Sequence, residues 1–333
     1  MSSIDALGSI SLTFDYELFL GRRSGSAESC IIAPTREILK RIRGHGATAL
    51  FFVDATYLAK IETCDTQTYS RVASQIEEMI GSGCEVGLHL HSHWLDAEKV
   101  DASVWSLENS RKYRLHSLQE DEMRRVFRDS FASLERVVRR ASDSYRINTF
   151  RAGGWCVQPF ATLRRSFEEL GIEFDFSVTP GLYKNNLPAH FYDYRNAPKD
   201  RAAWRFSDDP CVPRTDGDFI EVPVTAFRAT LPSLVLNRLR LRGQSIYGDG
   251  QGVGGGRLRD LAGKFIAVEG LRQLTLDMCS RELLETSLRK TEGRALRVFA
   301  SHPKILNASA IDYLELLLQR FQTVRTDAIA AYA

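Results

Sequence analysis

Tyr69-Ser-Arg-Val-Ala-Ser-Gln-Ile-Glu-Glu-Met-Ile-Gly-Ser-Gly-Cys-Glu-Val-Gly-Leu-His-Leu-His-Ser-His93 carries the alternation that decides the fold. A helix is predicted over Tyr69 to Ile80, stopped by Gly81 and Gly83, and it feeds a short strand, Cys84 to Leu88, that delivers three histidines. The same unit recurs on both sides. Upstream, Ser9-Ile-Ser-Leu-Thr-Phe14 alternates as a strand and ends in Asp15 and Glu17. Pro34 to Arg43 has Ile38, Leu39 and Ile42 at helical spacing with proline first and Gly44 last, and Ala49 to Val53 reads as a buried strand. Downstream, Thr149-Phe150 leads into Arg151, a helix from Ala161 to Leu170 stops at Gly171, and Ile172 to Ser177 is the next strand. A helix from Arg281 to Thr291 precedes a strand, Leu296 to Ala300, ending at Ser301-His302-Pro303. Alternating strands and helices predict an α/β fold with a largely parallel sheet.

Two stretches break the rhythm inside what reads as a single domain, residues 1–333. Residues 95–145 are dominated by a charged helix from Ser117 to Arg140, expected as an outer or inserted helix. Residues 182–270 mix an aromatic section (His190 to Tyr194, Trp204 to Phe206), a strand from Phe219 to Pro223 and a glycine-rich loop. Such insertions usually form lids or substrate surfaces.

Composition excludes several classes. The 333 residues are 44% hydrophobic and 26% charged with a formal net charge of +2, which gives no general basic field for nucleic acid. The amino-terminal residues offer no basic leader and no apolar span, so no transmembrane segment and a cytoplasmic location are expected. Six scattered cysteines without a Cys-x-x-Cys fit reduced thiols packed in the core.

The chemistry gathers at two strand ends. His89, His91 and His93 alternate, so in an extended chain all three share one side, and in a helix His89 and His93 still meet. Asp15 and Glu17 likewise share a face. One carboxylate would bind a metal ion and the other act as base, and two histidines with one carboxylate leave room for water and a substrate oxygen, as in hydrolytic zinc sites.

In order, Thr13-Phe-Asp-Tyr-Glu17, Gly87-Leu-His-Leu-His-Ser-His93, Phe150-Arg-Ala-Gly-Gly154, Asp175-Phe-Ser177 and Ser301-His-Pro303 resemble the motifs of the polysaccharide deacetylase (NodB-homology, carbohydrate esterase) family, with Ala47 to Val53 similar to its second strand. The resemblance implies a distorted (β/α) barrel and a metal-dependent hydrolase that removes an N-acetyl group from an amino sugar, such as a component or precursor of a surface polysaccharide. It implies Asp15 as catalytic base, His302 as general acid, Arg151 as the group that orients the base and Asp175 as the acid that tethers His302. It also implies a divalent ion, zinc by expectation, on Glu17, His89 and His93, with Tyr16, His91, Gly153, Gly154 and Trp155 on the substrate side. Two departures stand out. Tyr16 replaces the family's usual second, metal-binding Asp, so Glu17 takes over that work, and the distance from Asp175 to His302 is far longer than usual. With no export signal read, the expected substrate is a free, nucleotide-linked or lipid-linked acetamido sugar made on the cytoplasmic side.

Other hydrolysis on the same scaffold, of a cyclic amide or ureide, and a non-catalytic glycan-binding role are the alternatives. Gly248-Asp-Gly-Gln-Gly-Val-Gly-Gly-Gly256 lacks the Gly-Lys-Ser/Thr ending of a phosphate loop and reads as a lid. Arg238, Arg240 and Arg242 alternate with leucines, a pattern that fits a solvated face and, less often, an anionic contact. His45 and His116 are expected in solvent, while His190, Trp94, Trp155 and Trp204 could meet a sugar or the core.

Overall fold

The computed structural model describes residues 8–101, 104–252 and 270–333. The end of the glycine-rich loop, residues 253–256, lies outside them. Among the described residues the main sheet contains β1 (Ser9–Tyr16), β2 (Leu50–Asp54), β3 (Glu85–Leu90), β4 (Thr149–Ala152), β5 (Phe174–Asp175), β6 (Trp204–Phe206), β7 (Phe219–Glu221), β8 (Leu296–Ser301) and β9 (Gln322–Thr323). Their order is β6-β7-β5-β4-β3-β2-β1-β8, with β9 also on β1, and every pair is parallel except β6 with β7.

The sheet curls into a distorted barrel. No strand joins its two ends among the described residues. The irregular chain Val222–Thr225 crosses there instead: Val224 N donates to Val178 O at 2.9 Å, Thr225 N to Val298 O at 3.1 Å, and Val298 N to Thr225 Oγ1 at 2.9 Å. Leu50, Phe52, Phe174, Phe176, Ile220, Val222, Leu296 and Val298 form one buried cluster at alternate positions of these strands, while the other faces pack under the helices. Gly87 sits where a Cβ would lie 2.3 Å from Thr149 Oγ1 and 2.9 Å from the Phe52 ring, so β3 needs glycine there to admit that ring.

The helices follow from local chemistry. α1 (Ala33–His45) begins with proline and ends at Gly46 in the left-handed region, φ 59°, two residues beyond the glycine that the pattern had marked. α2 (Ala55–Cys64) and α3 (Thr66–Gly81) are capped by Asp54 and Asp65, whose carboxylates accept from Tyr57 N and Thr68 N. The charged helix, α4 (Glu120–Ala141), starts with three acids and ends with Arg139 and Arg140, complementing the helix dipole. It lies on α2, α3, β3 and α5 (Ala161–Leu170) through Met123, Phe127, Leu134 and Val138, so it belongs to the helical layer around the barrel. α6 (Leu231–Arg240) follows the crossing segment, and α7 (Arg281–Lys290) and α8 (Ala308–Arg320) flank β8. Trp94 and Trp204 are buried core residues, and among the described residues no helix is long and apolar enough to cross a membrane.

Asp175 and Glu221 are opposite one another across β5 and β7. Alternation turns both away from the face that carries Phe174, Phe176, Ile220 and Val222. Ser177 Oγ donates to Asp175 Oδ1 at 2.6 Å and Val178 N to Glu221 Oε1 at 3.1 Å, while Asp175 Oδ2 and Glu221 Oε2 have no other donor. Burial and the facing carboxyl raise Glu221 well above its usual range, and burial raises Asp175 too, so Glu221 favours its protonated form. The folded state therefore binds a proton that the unfolded chain releases above pH ~4.5. Stability should fall by up to about 1.4 kcal/mol per pH unit as pH rises from there through the raised values. Urea unfolding at pH 5 and pH 8 checks this, and Glu221→Gln should flatten the dependence; a wild type equally stable at both pH values rules out a protonated Glu221.

Candidate metal and catalytic site

Asp15, at the carboxyl end of β1, is held by Arg151 on β4. The guanidinium is fully buried; its Nη1 donates to Asp15 Oδ1, its Nη2 to Thr13 Oγ1 at 2.8 Å and its Nε to Phe176 O at 3.0 Å, and its plane lies 4.2 Å from the Phe52 ring centroid and 5.0 Å from that of Trp155. Burial disfavours a charged Asp15, but Arg151, then His302 and His89, outweigh it and hold the carboxylate below its usual range. Asp15 is thus an ionised, fixed acceptor.

Tyr16 points the other way, because successive strand residues alternate. Its ring is buried and its hydroxyl donates to Gln75 Oε1 on α3 at 2.8 Å. The expectation that Tyr16 lies on the substrate side is corrected by this alternation. The same rule explains the shifted acid: position 17, not 16, shares a face with Asp15. Glu17 sends Oε2 toward His89 Nε2 at 3.2 Å and His91 Nε2 at 2.6 Å.

β3 ends at Leu90, and His91 keeps an extended backbone (φ −121°, ψ 103°) before a 3₁₀ turn, Ser92–Asp96, carries the chain away. His89 and His91 therefore share a face as i and i+2. Glu17, His89 and His91 place ligand atoms within 4.8 Å of one another, and all three are buried. His93, expected as the second histidine ligand, lies within that turn with its ring centroid 6.0 Å from that of His91, and it is not in this group. His91, expected outside the ligand set, stands within it; the extended run simply stops two residues short of His93. Burial, with His91 and His190 nearby, drives His93 down to about 3, so it is neutral at physiological pH.

The donor set fits a divalent cation. His89 Nδ1 faces Arg151 O at 2.8 Å, and a proton donated there leaves Nε2 as the lone-pair nitrogen toward Glu17. Two imidazoles and one carboxylate are the ligand types of hydrolytic zinc sites. The surroundings also call for positive charge: burial opposes a cationic His89, yet Glu17, Asp15 and Asp54 carry it up to about 9. Asp54, at the end of β2, accepts from Trp94 Nε1 at 2.6 Å besides capping α2.

His302, just beyond β8, has Nε2 3.4 Å from Asp15 Oδ2 and 3.6 Å from Glu17 Oε1. Its Nδ1 meets Asp277 Oδ2 at 2.6 Å, and its backbone N donates to Asp277 Oδ1 at 2.8 Å. Burial lowers His302, but Asp277, Asp15 and Glu17 together more than offset this and keep the imidazolium favoured above its usual range. The tether on His302 is thus Asp277, and the role expected of Asp175 does not fit its place, turned from the barrel interior and occupied with Ser177 and Glu221.

Lys304 is a further member that sequence reading passed over. Its Nζ, buried on the turn Pro303–Ile305, donates to Glu17 Oε1 at 2.7 Å and Leu18 O at 2.8 Å, leaving Oε2 for the histidines. With His91 it outweighs burial and holds Glu17 well below the carboxylate range. Its sequence signal was a lysine two residues past the motif histidine.

These groups floor a cavity of about 910 Å³ walled by Phe19, Tyr113, Gly154, Trp155, Lys184 and His190. Trp155 has φ 65°, and His190 comes from the hairpin Tyr183–Asn186 with His190–Asp193. The described start of the glycine-rich loop is clamped beside it: Gly248 N donates to Lys304 O at 2.9 Å, Gln251 N to Arg23 O at 2.8 Å, and Asp249 Oδ1 accepts from Ser26 N at 2.8 Å. Of the histidines expected in solvent, His45 pairs with Glu315 at 2.6 Å, while His116 bonds Pro159 O at 3.0 Å and is half-buried.

Gly153 begins the turn after β4, and a Cβ there would lie 2.3 Å from Leu90 O and 2.7 Å from His91 Nδ1. Gly153→Ala should displace His91 and destabilise the protein by about 1–3 kcal/mol. Thermal unfolding of the variant checks this; an unchanged melting temperature would show that the turn has slack the distances deny.

No protein-family model matches the chain, and no curated protein matches its sequence. Among solved structures, a Mycobacterium smegmatis protein provisionally named a polysaccharide deacetylase superposes on 100% of this chain and 92% of its own, at 14% identity and a TM-score of 0.50. The peptidoglycan deacetylase PdaC of Bacillus subtilis aligns over 98% of this chain and 91% of its own, at 14% identity and a TM-score of 0.39. The first of these superpositions runs from end to end and agrees with the curled parallel sheet: the chain has the fold of the polysaccharide deacetylases.

Proposed function

We propose that the protein is a metal-dependent hydrolase that removes the N-acetyl group of an amino sugar. The observation that carries this reading is the convergence of an ionised Asp15, a cationic His302 and the Glu17, His89 and His91 donors on one cavity floor. Glu17, His89 and His91 would hold the ion. When bound, it supplies Lewis-acid polarisation of the acyl oxygen and a lowered water pKa.

The chain's own groups account for the proton movements. Asp15, fixed by Arg151, accepts a proton from the attacking water as oxygen adds to the acyl carbon. His302, cationic through Asp277, gives its Nε2 proton to the amide nitrogen as the C–N bond breaks, releasing acetate and the free amine. Lys304 keeps Glu17 ionised and aimed. Trp155 and His190 offer an apolar face and a neutral imidazole to a sugar ring above the floor. An acid and a base poised together favour turnover over a purely glycan-binding role. Five of the six thiols are buried and none is paired, which favours a reducing compartment such as the cytoplasm.

Metal content and turnover test the reading together. By elemental analysis after zinc loading, Glu17→Gln, His89→Ala and His91→Ala should each lose the ion, while His93→Ala should keep it. Asp15→Asn should retain metal and lose on the order of a hundredfold or more in acetate release from acetamido sugars. Ring opening of cyclic imides without acetate release would replace the substrate class, and no stoichiometric metal in the wild type would overturn the proposal.

A further inference from the structure

α6 is inverted for a helix on a protein surface. None of its ten residues is buried. Its inner side is formed by Leu234, which packs partly on the core, and by Asn237, whose Nδ2 donates to Met278 O at 3.0 Å and whose Oδ1 accepts from Ser280 N at 2.6 Å. Leu231, Val235 and Leu239, spaced i, i+4 and i+8, stand outward at 61%, 45% and 61% exposure. With Leu236 and Met278 they make up five of the eleven large apolar side chains exposed among the described residues. An apolar concentration of this kind marks an interaction surface.

Arginines gather at the end of the helix. Arg238 and Arg240 occupy its last turn and Arg242 follows it; Glu282 is the acid on Arg240, at 2.9 Å. Leucines in line with arginines beside them match the interfacial zone of a bilayer, where the apolar chains enter the acyl boundary and long basic chains reach anionic headgroups. We propose that α6 seats this protein on the anionic surface of a lipid membrane.

The seat is next to the chemistry. Asn237 anchors α6 to Met278, and the preceding residue is Asp277, whose carboxylate holds His302. A membrane met by α6 therefore lies beside the catalytic rim. If the deacetylase reading holds, the substrate class that fits is an acetamido sugar on a lipid carrier.

Co-sedimentation of the full chain with vesicles tests the seat without reference to turnover. Vesicles of phosphatidylcholine with phosphatidylglycerol should bind the protein, vesicles of phosphatidylcholine alone should bind it far less, and high salt should weaken the first. The double variant Leu231→Glu, Leu239→Glu, at two exposed positions, should keep its circular dichroism and its turnover of a water-soluble acetamido sugar while losing about tenfold or more in vesicle affinity. Arg242→Gln should lose about fivefold. No binding to anionic vesicles, equal binding by the double variant, or a dimer that the double variant splits with vesicle binding unchanged would overturn the proposal. A protein that binds vesicles but releases no acetate would keep the seat and lose only the deacetylase reading.

Discussion

The buried ion pair between Arg151 and Asp15 is the interaction around which the rest is arranged. A guanidinium without access to solvent is tolerated only when its donors are used, and here they go to Asp15, Thr13 and Phe176 O. Those three partners come from β1 and from the chain just after β5, so Arg151 ties together strands that are not neighbours in the sheet. Removing one partner from such a pair typically costs about 3–5 kcal/mol, because the other charge stays buried. The pair also sets the chemistry, since it spends one oxygen of Asp15 on position and leaves the other toward His302. His89 is drawn into the same arrangement by its bond to the Arg151 carbonyl.

A second constraint, the two-residue period of a strand, sorts the site. It puts Asp15 and Glu17 inward with Tyr16 between them facing Gln75, and it puts His89 and His91 inward until the turn at Ser92 ends the period. It likewise turns Asp175 and Glu221 off the barrel interior. Each departure from the family-like expectation at positions 16, 91, 93 and 175 has this one geometric cause.

Much of the fold was legible because strands and helices announce themselves locally. The strands that carry Asp15, Asp54, His89, Arg151 and Ser301 all lie where alternation or an apolar run put them, and the helix before Gly171 has its predicted bounds. α2 and α6 were missed for different reasons. The first follows its strand with no loop between, Asp54 closing β2 and capping the helix at once; the second carries its apolar side outward, so its pattern did not read as a core-facing stripe. In the site, residue types were legible and partnerships were not. Asp277 and Lys304 act on residues 25 and 287 positions away, and no local pattern encodes a contact made by folding.

The charge balance of the cavity floor explains why both missed residues are there. Asp15 and Glu17 place two buried carboxylates within reach of one imidazole, an arrangement that on its own would force one of them to take up a proton. Arg151 answers the first and Lys304 the second, so both stay ionised and separate tasks remain open to them. Asp277 then gives His302 a counter-charge on the far nitrogen, which favours its cation without using the nitrogen that faces the cavity. A base, an acid and a ligand carboxylate can coexist within a few ångströms only because each has its own buried partner, and those partners come from three separate parts of the chain: the end of β4, the turn after β8 and the segment before α7.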